Sequence, residues 1–141
     1  MRQEAPQCFE GRFQNSLEGL ARVTEEAMRF IGDRGIGGDA AYAANLAIEE
    51  IGTNILKFGY GDSAPHEILL RVEILPGRLL VILEDDGREF DPVGAPAPDV
   101  HLPPEQRVPG GLGIHLVRSF AEDMRYERRD GRNRLSIAIR C

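Results

Sequence analysis

Two dipeptides constrain this chain more than any other feature: Pro76-Gly77 and Asp130-Gly131 each sit between segments whose apolar residues keep a strand-like register. Proline presets the torsion of a turn's first central residue, and glycine accepts the positive φ that a tight turn demands. His66 to Glu73 and Leu79-Leu80-Val81-Ile82-Leu83 therefore predict an antiparallel hairpin across the first dipeptide. Met124 to Glu127 and Leu135 to Ile139 predict a second across Asp130-Gly131. A sheet built from hairpins must cover at least one apolar face.

The cover is legible upstream. Cys8 to Phe13 reads as a short strand, Asn15 or Ser16 offers an N-cap, and Leu17, Leu20, Val23, Ala27 and Phe30 recur at helical spacing until Gly32 and Gly35. Gly37-Gly38-Asp39 opens a second helix with an apolar face of Ala44, Ala47, Ile48, Ile51, Ile55 and Phe58, ended by Gly59 and Gly61. A third is expected from Gly113 through Phe120. Between Asp91 and Gly110 lie six of the nine prolines and little periodicity, so this stretch reads as a long loop, a kind usually functional in compact domains. The expected fold is α+β: a two-layer α/β sandwich with helices on one face of a mixed, largely antiparallel sheet, in a single domain of residues 1–141.

Composition narrows the function. At 141 residues with 42% apolar and 28% charged side chains, the chain has the make-up of one soluble domain, and no apolar run approaches the ~20 residues that span a bilayer. No secretory leader pattern is present, so a cytoplasmic location is expected, without a membrane. Cys8 and Cys141 have no metal-type spacing and read as free thiols. A formal charge of −6 argues against direct nucleic-acid binding. The basic segment Arg125 to Arg134 surrounds the Asp-Gly turn and reads as solvated hairpin charge.

Three short patterns carry possible chemistry. Glu50, Asn54 and Lys57 share one side of the second helix, where a carboxylate and an amide oxygen suit Mg²⁺ or a carboxylate serves as a base. A merely polar helix flank is the plainer reading of that pattern taken alone. Asp85, at the end of the apolar strand, is followed by Gly87, so its carboxylate can accept a hydrogen bond from an exocyclic amine such as adenine's. An ordinary Asp-Asp-Gly turn is the plainer alternative. Gly110, Gly111 and Gly113 precede an apolar helix, where backbone N–H groups and the helix dipole favour an anion. The pattern lacks the Lys-Ser/Thr of a P-loop, and a hinge would use the same glycines.

In combination, Glu50-x-x-x-Asn54-x-x-Lys57-Phe58, Asp85-x-Gly87-x-x-Phe90 and Gly110-Gly111-Leu112-Gly113 resemble the N, G1 and G2 boxes of the GHKL (Bergerat-fold) ATPases. Within that superfamily the chain, from about Ala21 onward, resembles stand-alone bacterial anti-sigma factors with serine-protein kinase activity, the RsbW and SpoIIAB type. The resemblance implies the histidine-kinase-like ATPase fold, with ATP or ADP and Mg²⁺ as cofactors. It makes Asn54 the Mg²⁺ ligand, Glu50 the general base and Asp85 the acceptor for the adenine amino group, with Gly87 making room for the ring. Gly111 and Gly113 would meet the phosphates, Lys57 could touch them, Ser136 would assist near the adenine, and residues 91 to 110 would form the lid.

Two positions depart from the pattern. Glu89 stands where many members carry a second G1 glycine, and Phe58 stands where the helix often ends in histidine. The function implied is phosphorylation of an anti-anti-sigma STAS-domain protein on serine or threonine, with sequestration of a sigma factor as the alternative state. The competing expectation is a nucleotide-binding module that sequesters a partner without kinase activity. Homodimerisation through the first helix and N-terminal strand is a further expectation of the resemblance.

Overall fold

The computed structural model describes residues 7–91, 93 and 111–141, with backbone alone at 111 and 112. Elements run in the order β1 (Cys8–Gln14), α1 (Leu17–Asp33), α2 (Gly38–Phe58), β2 (Glu67–Leu75), β3 (Arg78–Asp85), α3 (Gly111–Phe120), β4 (Asp123–Arg129) and β5 (Arg132–Arg140). Both expected hairpins form, β2–β3 and β4–β5, and the second inserts its later strand beside β3. The sheet order is β1-β2-β3-β5-β4, and each of the four pairings is antiparallel. Gly77 takes φ 75°, while Asp130 and Gly131 take 53° and 77°, the left-handed pair of a tight hairpin turn.

Ser16 caps α1 by accepting a hydrogen bond from Gly19 N at 3.0 Å. The helix then buries Leu20, Val23, Thr24, Ala27 and Ile31. The apolar stripe was expected to include Leu17 and Phe30, but Leu17 is 72% exposed and Phe30 is only half-buried, tilted against Phe9. Ile31 and Thr24 take their place because the face is centred about one residue later. Thr24 satisfies its hydroxyl by donating to Leu20 O at 2.7 Å.

In α2 the buried face consists of Ala43, Ala44, Ala47, Ile48, Ile51 and Gly52. These small residues let helices approach closely; a Cβ on Gly52 would strike Leu20 of α1. Ile55 and Phe58, expected to continue this face into the core, instead end half-buried and 40% exposed. Past Ile51 the stripe leaves the core and becomes a cavity wall. The main core fills the space between helices and sheet, with Leu70, Val72, Val81, Leu83, Leu135 and Ile137 on the inner sheet face. No helix among the described residues is long and apolar enough to cross a membrane. Of the expected lid, only residues 91 and 93 fall within the described residues.

Candidate functional site

Where α2 ends above the carboxyl end of β3, a cavity of about 340 Å³ opens between the helical layer and the sheet. That volume lies within the ordinary range for small-molecule sites. Its floor is apolar, made by Ile51, Ile55, Leu83, Ile114 and Leu135. Asn54 and Lys57 border it from α2, and Asp85, Glu89 and Phe90 border it from β3 and the turn that follows. Two of the three sequence patterns therefore meet at one opening, as does Phe58.

Asp85 is 4% exposed. Its Oδ1 accepts from Gly87 N at 2.8 Å and from Asn133 Nδ2 at 3.0 Å. Burial pushes its carboxyl above the ordinary value, opposed by those two hydrogen bonds and by Arg128, and reinforced by Asp86. Gly87 itself does not border the cavity. A Cβ there would crowd Gly59 O and the Asp85 carboxylate, and Arg88 N donates to that same Gly59 carbonyl at 2.8 Å. The absent side chain thus lets the Asp-Asp-Gly turn dock on the end of α2.

Asn54 is half-buried, and its amide has a buried polar atom, assigned as Nδ2, with no hydrogen-bond partner among the described residues. An orphaned N–H donor on a residue that lines the cavity fits an acceptor such as a phosphate oxygen, while the oxygen of the same amide is the atom suited to a cation. Among the described residues no group of three His, Cys, Asp or Glu side chains is arranged to hold a metal ion. A Mg²⁺ held here would therefore take most ligands from phosphates and water, its usual habit. Glu50, one turn before Asn54, lies outside the cavity wall. It sits against the first turn of α3, where a Cβ on Gly113 would run into its carboxylate. Gly110 and the side-chain positions of Gly111 and Leu112 lie outside the described residues.

Beneath the Asp-Asp-Gly turn, His66 bridges two carboxylates, with Nε2 at 2.7 Å from Asp62 Oδ1 and Nδ1 at 3.4 Å from Asp86 Oδ1. Its ring stacks on Tyr60, centroids 4.0 Å apart and 12° from parallel. The hydrogen bond to Asp62 raises the His66 pKa, against desolvation, and lowers that of Asp62. Tyr60 lines the cavity, and burial together with Asp85 and Asp86 holds its phenol well above the usual range.

Sequence reasoning missed Asn133, Tyr126, Arg128, Tyr60 and His66. Asn133 was hidden within a segment read as solvated hairpin charge. Counting from the Asp130-Gly131 turn would have exposed it, since strand alternation puts Asn133 on the same face as Leu135, Ile137 and Ile139. The same alternation removes Ser136, which lies between two inward residues and does not border the cavity.

An antiparallel sheet with helices on one face, and a cavity between the end of an amide-bearing helix and a strand-end carboxylate, define a class of ATPase domain. The chain belongs to the histidine kinase-like ATPase domain family, whose profile matches residues 13–139. Among individual proteins it is similar to serine/threonine-protein kinase BtrW of Bordetella bronchiseptica, 28% identical over 96 residues, covering 68% of this chain and 68% of that protein. It is also similar to serine-protein kinase RsbW of Bacillus subtilis, 27% identical over 92 residues, covering 61% of this chain and 56% of the relative. RsbW of Bacillus velezensis matches to the same extent. The match thus spans little more than half the length of the two Bacillus kinases. Membership of this ATPase family implies nucleotide binding.

Proposed function

We propose that this protein is an ATP-dependent serine/threonine-protein kinase that acts on an anti-anti-sigma STAS-domain protein and alternatively sequesters a sigma factor. One observation carries the reading: Asn54 from α2 and Asp85 from β3 border the same apolar-floored cavity. The names of the relatives supply the kinase class.

In this reading Asp85 accepts a hydrogen bond from the exocyclic amine of adenine, while Ile51, Leu83 and Leu135 exclude water from the ring. Asn54 offers its amide oxygen to Mg²⁺, and Lys57 offers N–H donors to phosphate. When bound, the metal neutralises charge on the transferring phosphoryl group. Glu50 accepts the proton of the attacking hydroxyl, and Gly113 leaves room for its carboxylate. Gly110, Gly111 and Leu112 would add to the phosphate cradle, and Phe90 to the wall beside the base.

The protein incubated with labelled ATP, Mg²⁺ and a STAS-domain substrate should yield phosphoserine or phosphothreonine. Replacing the base, Glu50→Gln, should lower that transfer by about 10²- to 10⁴-fold while ATP still binds. A fully active Glu50→Gln protein overturns the assignment of the base. A second reading, a nucleotide-dependent sequestering module without phosphotransfer, draws on one observation: Glu50 stands off the cavity wall, against α3. Nucleotide binding and partner capture without phosphorylated product would favour that module. Homodimerisation through α1 and β1 belongs to the same proposal, and sedimentation would test it.

A further inference from the structure

Asn133 is 7% exposed and stands directly opposite Asp85 in the β3–β5 register. Its amide is saturated. Nδ2 donates to Asp85 Oδ1 at 3.0 Å and to Arg88 O at 2.7 Å. Oδ1 accepts from Tyr126 Oη at 2.6 Å and from Arg128 Nη1 at 3.0 Å. A flipped amide would set its N–H groups against the Arg128 donor and its oxygen against two acceptors, so the network permits one orientation. Arg128 Nη1 also donates to Gly87 O at 2.8 Å. The turn after β3 is thus gripped from the β4–β5 hairpin at three successive acceptors, belonging to Asp85, Gly87 and Arg88.

The consequence falls on Asp85. Gly87 N and Asn133 both bond to Oδ1, so Oδ2 has no hydrogen bond among the described residues, and the residue borders the cavity. We propose that Asn133 is a positioning residue that commits Asp85 Oδ1 to the protein and presents Oδ2 to the cavity as an obligate acceptor, thereby making the site select a 6-amino purine over a 6-oxo purine. The inference rests on the nucleotide reading above and deepens it.

The chemistry is direct. A 6-amino group donates to a carboxylate oxygen; a 6-oxo group turns lone pairs toward it and leaves both buried and unpaired. Without Asn133 the carboxylate is free to rotate. It also loses a hydrogen bond that favours its ionised form against burial, so it takes up a proton more readily and can then donate to a 6-oxo group. Among the described residues, Asp86, Tyr60 and Arg128 act on this carboxylate, Lys57, Arg88 and Glu89 border the same cavity, and Tyr126 adjoins through Asn133.

The test measures ATP and inosine triphosphate (ITP) affinity by calorimetry in one magnesium buffer across a range of pH. The native protein should prefer ATP by about tenfold or more, the ratio that one unpaired buried acceptor produces. Asn133→Leu should lose about tenfold in ATP affinity, its ATP/ITP ratio should fall toward one, and the acid limb of ATP binding should move to higher pH. Equal losses for both nucleotides with an unmoved acid limb would mean that Asn133 only supports the fold, and would overturn the proposal.

If Asn133→Leu does not fold, Asp85→Asn tests the same lock. Gly87 N and Asn133 Nδ2 then require the new side chain's oxygen, so its amide nitrogen must face the base and the preference should reverse toward ITP. A retained preference for ATP overturns the proposal. Native protein that binds neither nucleotide overturns the nucleotide reading itself, whereas native ATP preference with an unmoved ratio in Asn133→Leu overturns only the role of Asn133, and an unmoved ratio in Asp85→Asn overturns the assignment of Asp85 to the base.

Discussion

The two walls of the cavity are built on opposite principles. On the strand side, Asp85, Asn133, Tyr126 and Arg128 satisfy one another across three strands, and the Asn133 amide has a partner at each donor and acceptor position. On the helix side, Asn54 keeps a buried amide atom without a partner among the described residues, and Lys57 projects into solvent. Under the proposed nucleotide reading, the difference gives each wall a different end of the ligand to serve. A rigid, saturated network suits recognition of a planar base whose hydrogen-bond pattern never changes. An under-satisfied amide beside an exposed cation suits a charged, metal-bearing group that arrives, completes the site and leaves.

Four experiments would break or sharpen this contrast. The largest effect is expected from Gly113→Ala, because the added methyl runs into the Glu50 carboxylate and displaces it. Phosphotransfer to a STAS-domain protein should fall on the order of a hundredfold, with ATP affinity changed far less. Unchanged turnover would separate Glu50 from the chemistry of the helix wall.

Next comes a paired measurement of stability. Asn133→Ala leaves the Tyr126 hydroxyl, Arg128 and the Arg88 carbonyl short of partners and should lower the unfolding free energy by about 1–3 kcal/mol. Asn54→Ala removes an amide that already lacks a partner, and should change stability by no more than about 0.5 kcal/mol while weakening nucleotide binding. Equal destabilisation in urea melts would erase the distinction between the walls.

A smaller effect concerns the support under Tyr60. The folded-state pKa of His66 is raised by its hydrogen bond to Asp62, so its contribution is fully present below the ordinary value of 6.5 and is lost as pH rises through the folded value. That of Asp62 is lowered, so its contribution fades only as pH falls through the acid range. The melting temperature should therefore decline as pH climbs past 6.5, and His66→Gln should flatten that slope. An identical slope in the variant would remove His66 as its source.

The smallest effect is expected on the outer sheet face. There Arg134 meets Glu84 at 3.4 Å with both side chains partly in water, and Arg134→Ala should shift stability by no more than about 0.5 kcal/mol. A larger loss in thermal melts would mean that this face is held as tightly as the cavity.

The elements themselves were legible because their signals are local. The Pro-Gly and Asp-Gly turns, the Ser16 cap and the helical spacing of Ala44, Ala47, Ile48 and Ile51 each depend on neighbours within a few residues. The positions of Asn54, on a helix flank, and Asp85, at a strand end, were legible for the same reason. Phe58 misled because helical periodicity records which face a residue occupies but not where the core stops. Asn133 escaped because its meaning lies 48 residues away, in a pairing with Asp85 that no local pattern encodes.

What the sequence determined by itself was the set of segments, the two hairpins and the residues proposed to meet adenine, phosphate and Mg²⁺. Tertiary structure alone decided that β5 would lie beside β3 rather than at an edge, which brings Asn133 and Arg128 onto the Asp85 turn. It also decided that Glu50 would rest against α3 instead of the cavity wall. The physical reason is the same in each case. Hydrogen-bonded strand registers and glycine-permitted close approaches join residues far apart in the chain, and their energies depend on geometry that exists only once the layers have packed.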